Sequence, residues 1–149
     1  MTTSTAPTVR ATLIAALGAR PGLDGVTVTH FWQGDADTQE AIYLGNTTLE
    51  NEYPVIRSGR KPREETYRIQ LHIRSLKPTD WGPTAEVRAF EMIAEVEDLI
   101  AEDPAIGLSG TFPTLRLLIT DATVEPVLLD PGGIGAQATL TIEARNRLS

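Results

Sequence analysis

His30 and His72 are the only imidazoles in the chain, and cysteine is absent. The two histidines lack the HExxH spacing that puts a ligand pair on one helical face, so no zinc site is expected. Without cysteine, disulfides, thiolate nucleophiles and Cys-ligated metals are excluded together. Asp35 and Asp37 form a D-x-D pair, which suits a hard cation. A calcium loop needs glycine at its sixth position, however, and counting from Asp35 that position is Glu40. Ser109 lies in Gly107-Leu108-Ser109-Gly110-Thr111, which has no closing glycine and follows a helix, where a nucleophile elbow would follow a strand. Gly132, Gly133 and Gly135 fall between two strands and open no helix, so they are not a phosphate cradle. No nucleophile, base and orienting group converge, and the chain reads as a non-enzyme with no cofactor and no bound metal.

What remains is charge. Arg57, Arg60, Lys61 and Arg63 crowd into seven positions with no acidic residue among them, and Gly59 and Pro62 make the stretch a loop. No aromatic residue is interleaved, so a base-stacking single-strand site is not supported. Farther along, Glu91, Glu95, Asp98 and Glu102 recur at helical spacing. Between Glu86 and Asp103 seven acidic residues face Arg88 alone, which places −6 of the chain's net −7 in one segment. Like charges at i, i+4 cost about 0.2–0.5 kcal/mol per pair unless water, salt or a partner compensates. An outward stripe is not a cleft that separates two carboxyl pKa values, so acid–base catalysis is not its use. The basic stretch and the acidic stripe are therefore candidate protein–protein contacts.

The elements that must carry these charges follow from periodicity. Val9, Leu13, Ala16 and Leu17 form one apolar stripe, a short helix opened by Pro7 and closed by Gly18 in the left-handed position. Val26 to Phe31 reads as a first strand, Trp32 to Gln39 as a polar hairpin loop, and Ala41 to Gly45 as a second strand. Glu50 to Ile56 reads as a separate extended segment, because Pro54 excludes helix. Tyr67, Ile69, Leu71 and Ile73 alternate with Arg68, Gln70, His72 and Arg74, which predicts a long strand near the middle of an antiparallel sheet, with His72 on its polar face. After a turn at Lys77 to Gly82 the period becomes 3.6. Ala85, Ala89, Met92, Ile93, Val96 and Ile100 then lay a helix of about five turns on the sheet, stopped by Pro104. Leu115 to Val124, extended by Val127 to Leu129 past Pro126, and Ala136 to Arg145 supply two more strands.

The fold class expected is thus α+β, a mixed and mainly antiparallel sheet packed by one long helix and a short N-terminal helix. At 149 residues the chain suits one domain, over residues 7–149, with residues 1–6 as a mobile tail. No leader peptide and no membrane span is expected, and a net charge of −7 argues against general duplex binding.

The order of elements, with GLDGVTV at 22–28, EETYRIQLHIR at 64–74, AFEMIAEVEDLIAEDPAIG at 89–107 and ATLTIEAR at 138–145, resembles the tail terminator (tail completion) proteins of long-tailed phages, the minor tail protein U group. The resemblance spans nearly the whole chain and rests on patterned stretches, with no catalytic signature. It implies a virion protein of the tail or neck, made in the host cytoplasm. Such a protein forms a homo-oligomeric ring, a hexamer, that caps the tail tube and stops its polymerisation. Its partners would be the major tail tube protein and the head–tail connector, with DNA passing through the lumen without specific binding and no membrane contact. A head–tail connector or stopper is the neighbouring alternative. In either ring one patch must meet a different patch on the next copy, and Arg57, Arg60, Lys61 and Arg63 opposite Glu91, Glu95, Asp98 and Glu102 are candidate complementary patches, the alternative being that the loop engages the tube or neck protein.

Overall fold

The computed structural model describes residues 4–32, 40–52, 63–76, 83–128 and 134–148. In chain order these form α1 (Ala6–Gly18), a 3-10 turn (Pro21–Leu23), β1 (Thr27–Thr29), β2 (Glu40–Glu52), β3 (Arg63–Ser75), α2 (Pro83–Glu102), β4 (Arg116–Leu128) and β5 (Ile134–Leu148). The strands make one sheet in the order β1-β2-β3-β5-β4, in which only β1 and β2 are parallel. The fold is α+β, and the alternating strand β3 lies at the centre of the sheet.

Strand alternation explains the layering. Tyr67, Ile69, Leu71 and Ile73 of β3, with Leu140, Ile142 and Ala144 of β5 and Ile42 and Leu44 of β2, are buried on one face. Ala85, Ala89, Met92, Val96 and Ile100 of α2 close over that face, and Val9, Leu13 and Leu17 of α1 complete the same core. Both helices cover one side of the sheet, so the other side carries the intervening polar residues.

Three local expectations are corrected. The two extended segments around residues 41–45 and from residue 50 are one strand, β2, interrupted by a bulge between Leu44 and Thr47. Arg10 of α1 donates to the Gly45 carbonyl and the Thr47 hydroxyl there, supplying partners where the ladder is broken. The first strand is short, Thr27–Thr29, and pairs parallel with β2, so the two strands are not a hairpin; residues 33–39, expected as its loop, lie outside the described residues. Gly18 does not adopt the left-handed conformation; α1 ends through the backbone N–H of Ala19, which donates to the Ala15 carbonyl. The D-x-D pair, the turn at 77–82 and Gly132–Gly133 lie outside the described residues.

Ser4 to Ala6 are packed in place. Thr5 is buried, and α1 already begins at Ala6; residues 1–3 lie outside the described residues. Glu65 shares the buried parity of Tyr67 and Ile69, and it is fully enclosed. Its carboxyl accepts from the Thr5 backbone N–H at 3.1 Å, from the Thr5 hydroxyl at 3.0 Å and from the Ser4 hydroxyl. The Thr5 hydroxyl and the Tyr67 phenol lie 2.9 Å apart. Burial pushes the Tyr67 pKa above its ordinary value, which keeps the phenolic proton in place as a donor. A carboxyl group set against the first turn of a helix is also favourably placed in the helix dipole.

Glu65→Ala would leave the Thr5 N–H and two hydroxyls without their acceptor, at a cost of about 2 kcal/mol. Urea unfolding should show a lower midpoint with an unchanged slope, whereas the exposed Glu64→Ala should change the midpoint little.

Candidate functional site

The acidic stripe lies on the solvent side of α2, but it is not uncompensated, which corrects the expectation drawn from local sequence. Arg20, just after α1, donates to Glu95 at 2.8 Å and to Glu102 at 3.1 Å. Hydrogen bonds to Glu102 and Glu95 raise the Arg20 pKa further above its ordinary value. Arg88 donates to Glu40 at 3.0 Å, to Glu91 at 3.3 Å and to the Gly22 carbonyl at 3.4 Å. Gly22 sits so close to the Glu95 carboxylate that any Cβ there would overlap it. Through Arg20, Glu95 and Glu102 tie the α1–β1 connection to α2, and Arg88 ties the start of β2 to it through Glu40, whereas the Arg88–Glu91 pair stays within the helix. Asp98 is exposed, and no ion pair among the described residues engages it. Asp103, at the end of the acidic run, accepts from the backbone N–H groups of Ala105 and Gly107 and holds the loop after α2.

Of the basic candidates, Arg57, Arg60 and Lys61 lie outside the described residues. Arg63 opens β3 opposite Leu148 of β5. Basic and acidic candidates are not brought together within the described part of one chain. Arg20 escaped the sequence reading because it lies 75 residues from Glu95 in the chain. No local spacing rule reaches that far.

The polar face of the sheet carries an aromatic row. Trp32 packs on Tyr43 with ring centroids 5.0 Å apart, and Tyr43 stacks on His72 at 5.1 Å. The Arg74 guanidinium lies 4.4 Å from the Trp32 ring centroid, within cation–π range. His72 is half-buried, with Nδ1 3.2 Å from the Thr139 hydroxyl, and its ring occupies the space a Cβ at Gly45 would need. This burial lowers the His72 pKa. Beside the row, Arg68 bridges Glu50 of β2 and Glu143 of β5, and Arg145 donates to Glu143 at 2.7 Å. The two Arg68 pairs join neighbouring strands, the Arg145–Glu143 pair lies within β5, and none of them holds a nucleophile against a base. No cluster of three or more metal-ligating side chains occurs among the described residues. No described helix is long and apolar enough to cross a membrane.

A third surface was not anticipated. β4 is an edge strand, and along its seam with α2 run two open grooves of about 250 and 410 Å³. Phe90 and Val124 line the first, and Ile100 and Leu117 the second. Phe90 and Leu118 remain more than half exposed beside them, at 53% and 61%. Among the described residues, the charged ones lining the grooves are Glu86, Glu97 and Glu125.

These features define a five-stranded α+β domain with helices on one face, a cross-linked polar face and an apolar seam at one edge. No family model matches the chain, and no curated protein matches its sequence. A solved structure does match: a chain of the virion of the native gene transfer agent particle superposes with a TM-score of 0.60 at 12% identity. The match covers 99% of this chain and 100% of that one. At this identity the likeness establishes a shared fold from end to end.

Two measurements test the site's electrostatics. Arg20→Met should lower stability by roughly 1 kcal/mol at low salt, the scale of two solvated ion pairs. The loss should shrink in 1 M NaCl, about the concentration at which the screening length falls to ~3 Å. For His72, the unfolded state takes up its proton near pH 6.5 and the native state only at lower pH. The native state therefore loses stability as pH falls below that value. His72→Gln should fall less steeply than the parent protein between pH 7.5 and pH 5 in paired urea titrations.

Proposed function

We propose that this chain is a structural component of a phage-type virion, and that within it the chain acts as a tail terminator. It forms a ring, a hexamer, that caps the tail tube, halts tube growth and presents a joint to the head connector. The end-to-end fold match with a chain of a gene transfer agent virion, over 99% of this chain and 100% of that one, carries this reading. The patterned stretches 22–28, 64–74, 89–107 and 138–145, which resemble tail terminators, support the finer role.

A ring also accounts for a division of labour on the surface. The polar sheet face satisfies much of its own charge through Arg68, Glu143 and Arg145, whereas the seam beside β4 exposes apolar side chains. The basic stretch Arg57 to Arg63 meets an acidic surface of the neighbouring copy. Three of the four stripe carboxylates, Glu91, Glu95 and Glu102, are already engaged by arginines of their own chain, so their pull on a neighbour is reduced. The role is non-catalytic, and DNA crosses the lumen without a specific site. A head–tail connector or stopper is the second reading. It is favoured by the same match, which names the whole particle and no position within it.

Light scattering coupled to size exclusion, followed by electron microscopy with purified tail tube protein or portal protein, separates the readings. The terminator reading expects a six-membered ring seated on tube ends and tubes that stop lengthening once it is added. A ring of another order that binds portal and ignores tubes would favour the connector. A monomer that leaves tube growth unchanged and joins neither partner would overturn both.

A further inference from the structure

We propose that the seam between α2 and β4 is the acceptor surface of the ring, and that its occupant is the stretch 53–62 of the neighbouring copy. This deepens the ring reading and rests on it. The first ground is the seam itself. Its floor is apolar, with Phe90, Val124 and Leu117, and its charged rim is purely acidic, with Glu86, Glu97 and Glu125. No ion pair among the described residues engages those three carboxylates, in contrast to the Arg20- and Arg88-bound stripe on the outer side of α2.

The second ground is complementary chemistry in the chain's own sequence. Residues 53–62 contain Tyr53, Val55 and Ile56 followed by Arg57, Arg60 and Lys61, an apolar half and a basic half without one acidic residue. Pro54 and Pro62 exclude a regular helix across the stretch. β2 and β3 are antiparallel neighbours, which a loop of two to five residues would join. The connection here is longer than closure requires.

The third ground is placement. Among the described residues β4 pairs only with β5, which leaves its outer backbone edge without a described partner along the seam. The bulge between Ile119 and Asp121, the acidic Asp121 and Glu125, and Pro126 all interrupt that edge. They discourage indiscriminate strand addition while leaving the acidic rim to select a basic segment. Within one chain, β3 and β5 separate β2 from this seam. Contact from one copy to the next is heterologous, the kind of contact a closed ring needs.

Because the chain has no cysteine, Ser58→Cys combined with Glu125→Cys gives a clean readout under mild oxidation. The expected result is a reducible ladder of cross-linked copies up to the ring number, formed only when both substitutions are present. A disulfide closed within single monomers, or no cross-link in a protein that still forms rings, overturns the proposal and leaves the ring reading standing. A parent protein that forms no ring removes the reading and the proposal together. A charge exchange provides the second arm. Glu86→Lys with Glu125→Lys, and separately Arg60→Glu with Lys61→Glu, should each raise the concentration needed for assembly by about tenfold or more at low salt. Placing all four substitutions on one chain should restore most of that loss, because the coupling belongs to the pair of surfaces. Unchanged melting curves confirm that each variant is folded, and additive losses without restoration count against the proposal.

Discussion

The structure depends on one-sided burial. A five-stranded sheet exposes two faces, and the described helices cover only one of them. The buried parity of β3 and β5 sets where α2 can lie, and α2 in turn sets which parts of the chain are left outside. The polar face meets that constraint by cross-strand pairing. Arg68, Glu143 and Arg145 satisfy one another, and Trp32, Tyr43, His72 and Arg74 form a packed row. The edge strand β4 has no equivalent cover. Its own Leu118 and the neighbouring Phe90 of α2 stay exposed because no described element remains to be laid over them.

The same constraint explains why charge is distributed unevenly along α2. The side turned toward α1 and β2 is bound by Arg20 and Arg88, which lock the N-terminal third of the chain onto the helix. Each of these partly buried, still solvated pairs is worth about 1 kcal/mol, so these arginines orient the layers more than they stabilise them. The enclosed Glu65 cluster is a stronger constraint. A buried acceptor serving three donors cannot be removed without leaving polar groups unsatisfied, and it fixes the start of α1 against the middle strand.

How much of this was legible in sequence depended on range. The alternation of Tyr67 to Arg74 and of Ala136 to Arg145, and the 3.6-residue period of Ala85 to Ile100, gave the sheet centre, the last strand and the long helix almost to their ends. Each is a local pattern imposed by one buried face. Glu65 was visible in principle, since it shares the parity of Tyr67, but an isolated carboxyl at a strand end looks like a frayed polar terminus until its donors are known. The merger of two extended segments into β2 depends on Arg10 meeting the bulge at Gly45, a contact between a helix and a strand far along the chain. The stripe looked unbalanced for the same reason: its countercharges come from Arg20 and from the packing of Arg88 toward Glu40. Local periodicity identifies faces, and only tertiary contact identifies what those faces meet.

A row of carboxylates on a helix is therefore weak grounds for an interface, because a distant arginine can satisfy it at little cost. An apolar floor with an acidic rim is more demanding. Water screens exposed carboxylates well, yet it gains nothing from Phe90 and Leu118, whose burial is worth roughly 25 cal/mol for each Å² covered. A partner for the seam must bring both apolar area and positive charge, and free solvent brings neither in the required form. That double requirement moves the centre of interest from the outer stripe of α2 to its inner border with β4. There a ring contact would gain energy from the floor and selectivity from the rim.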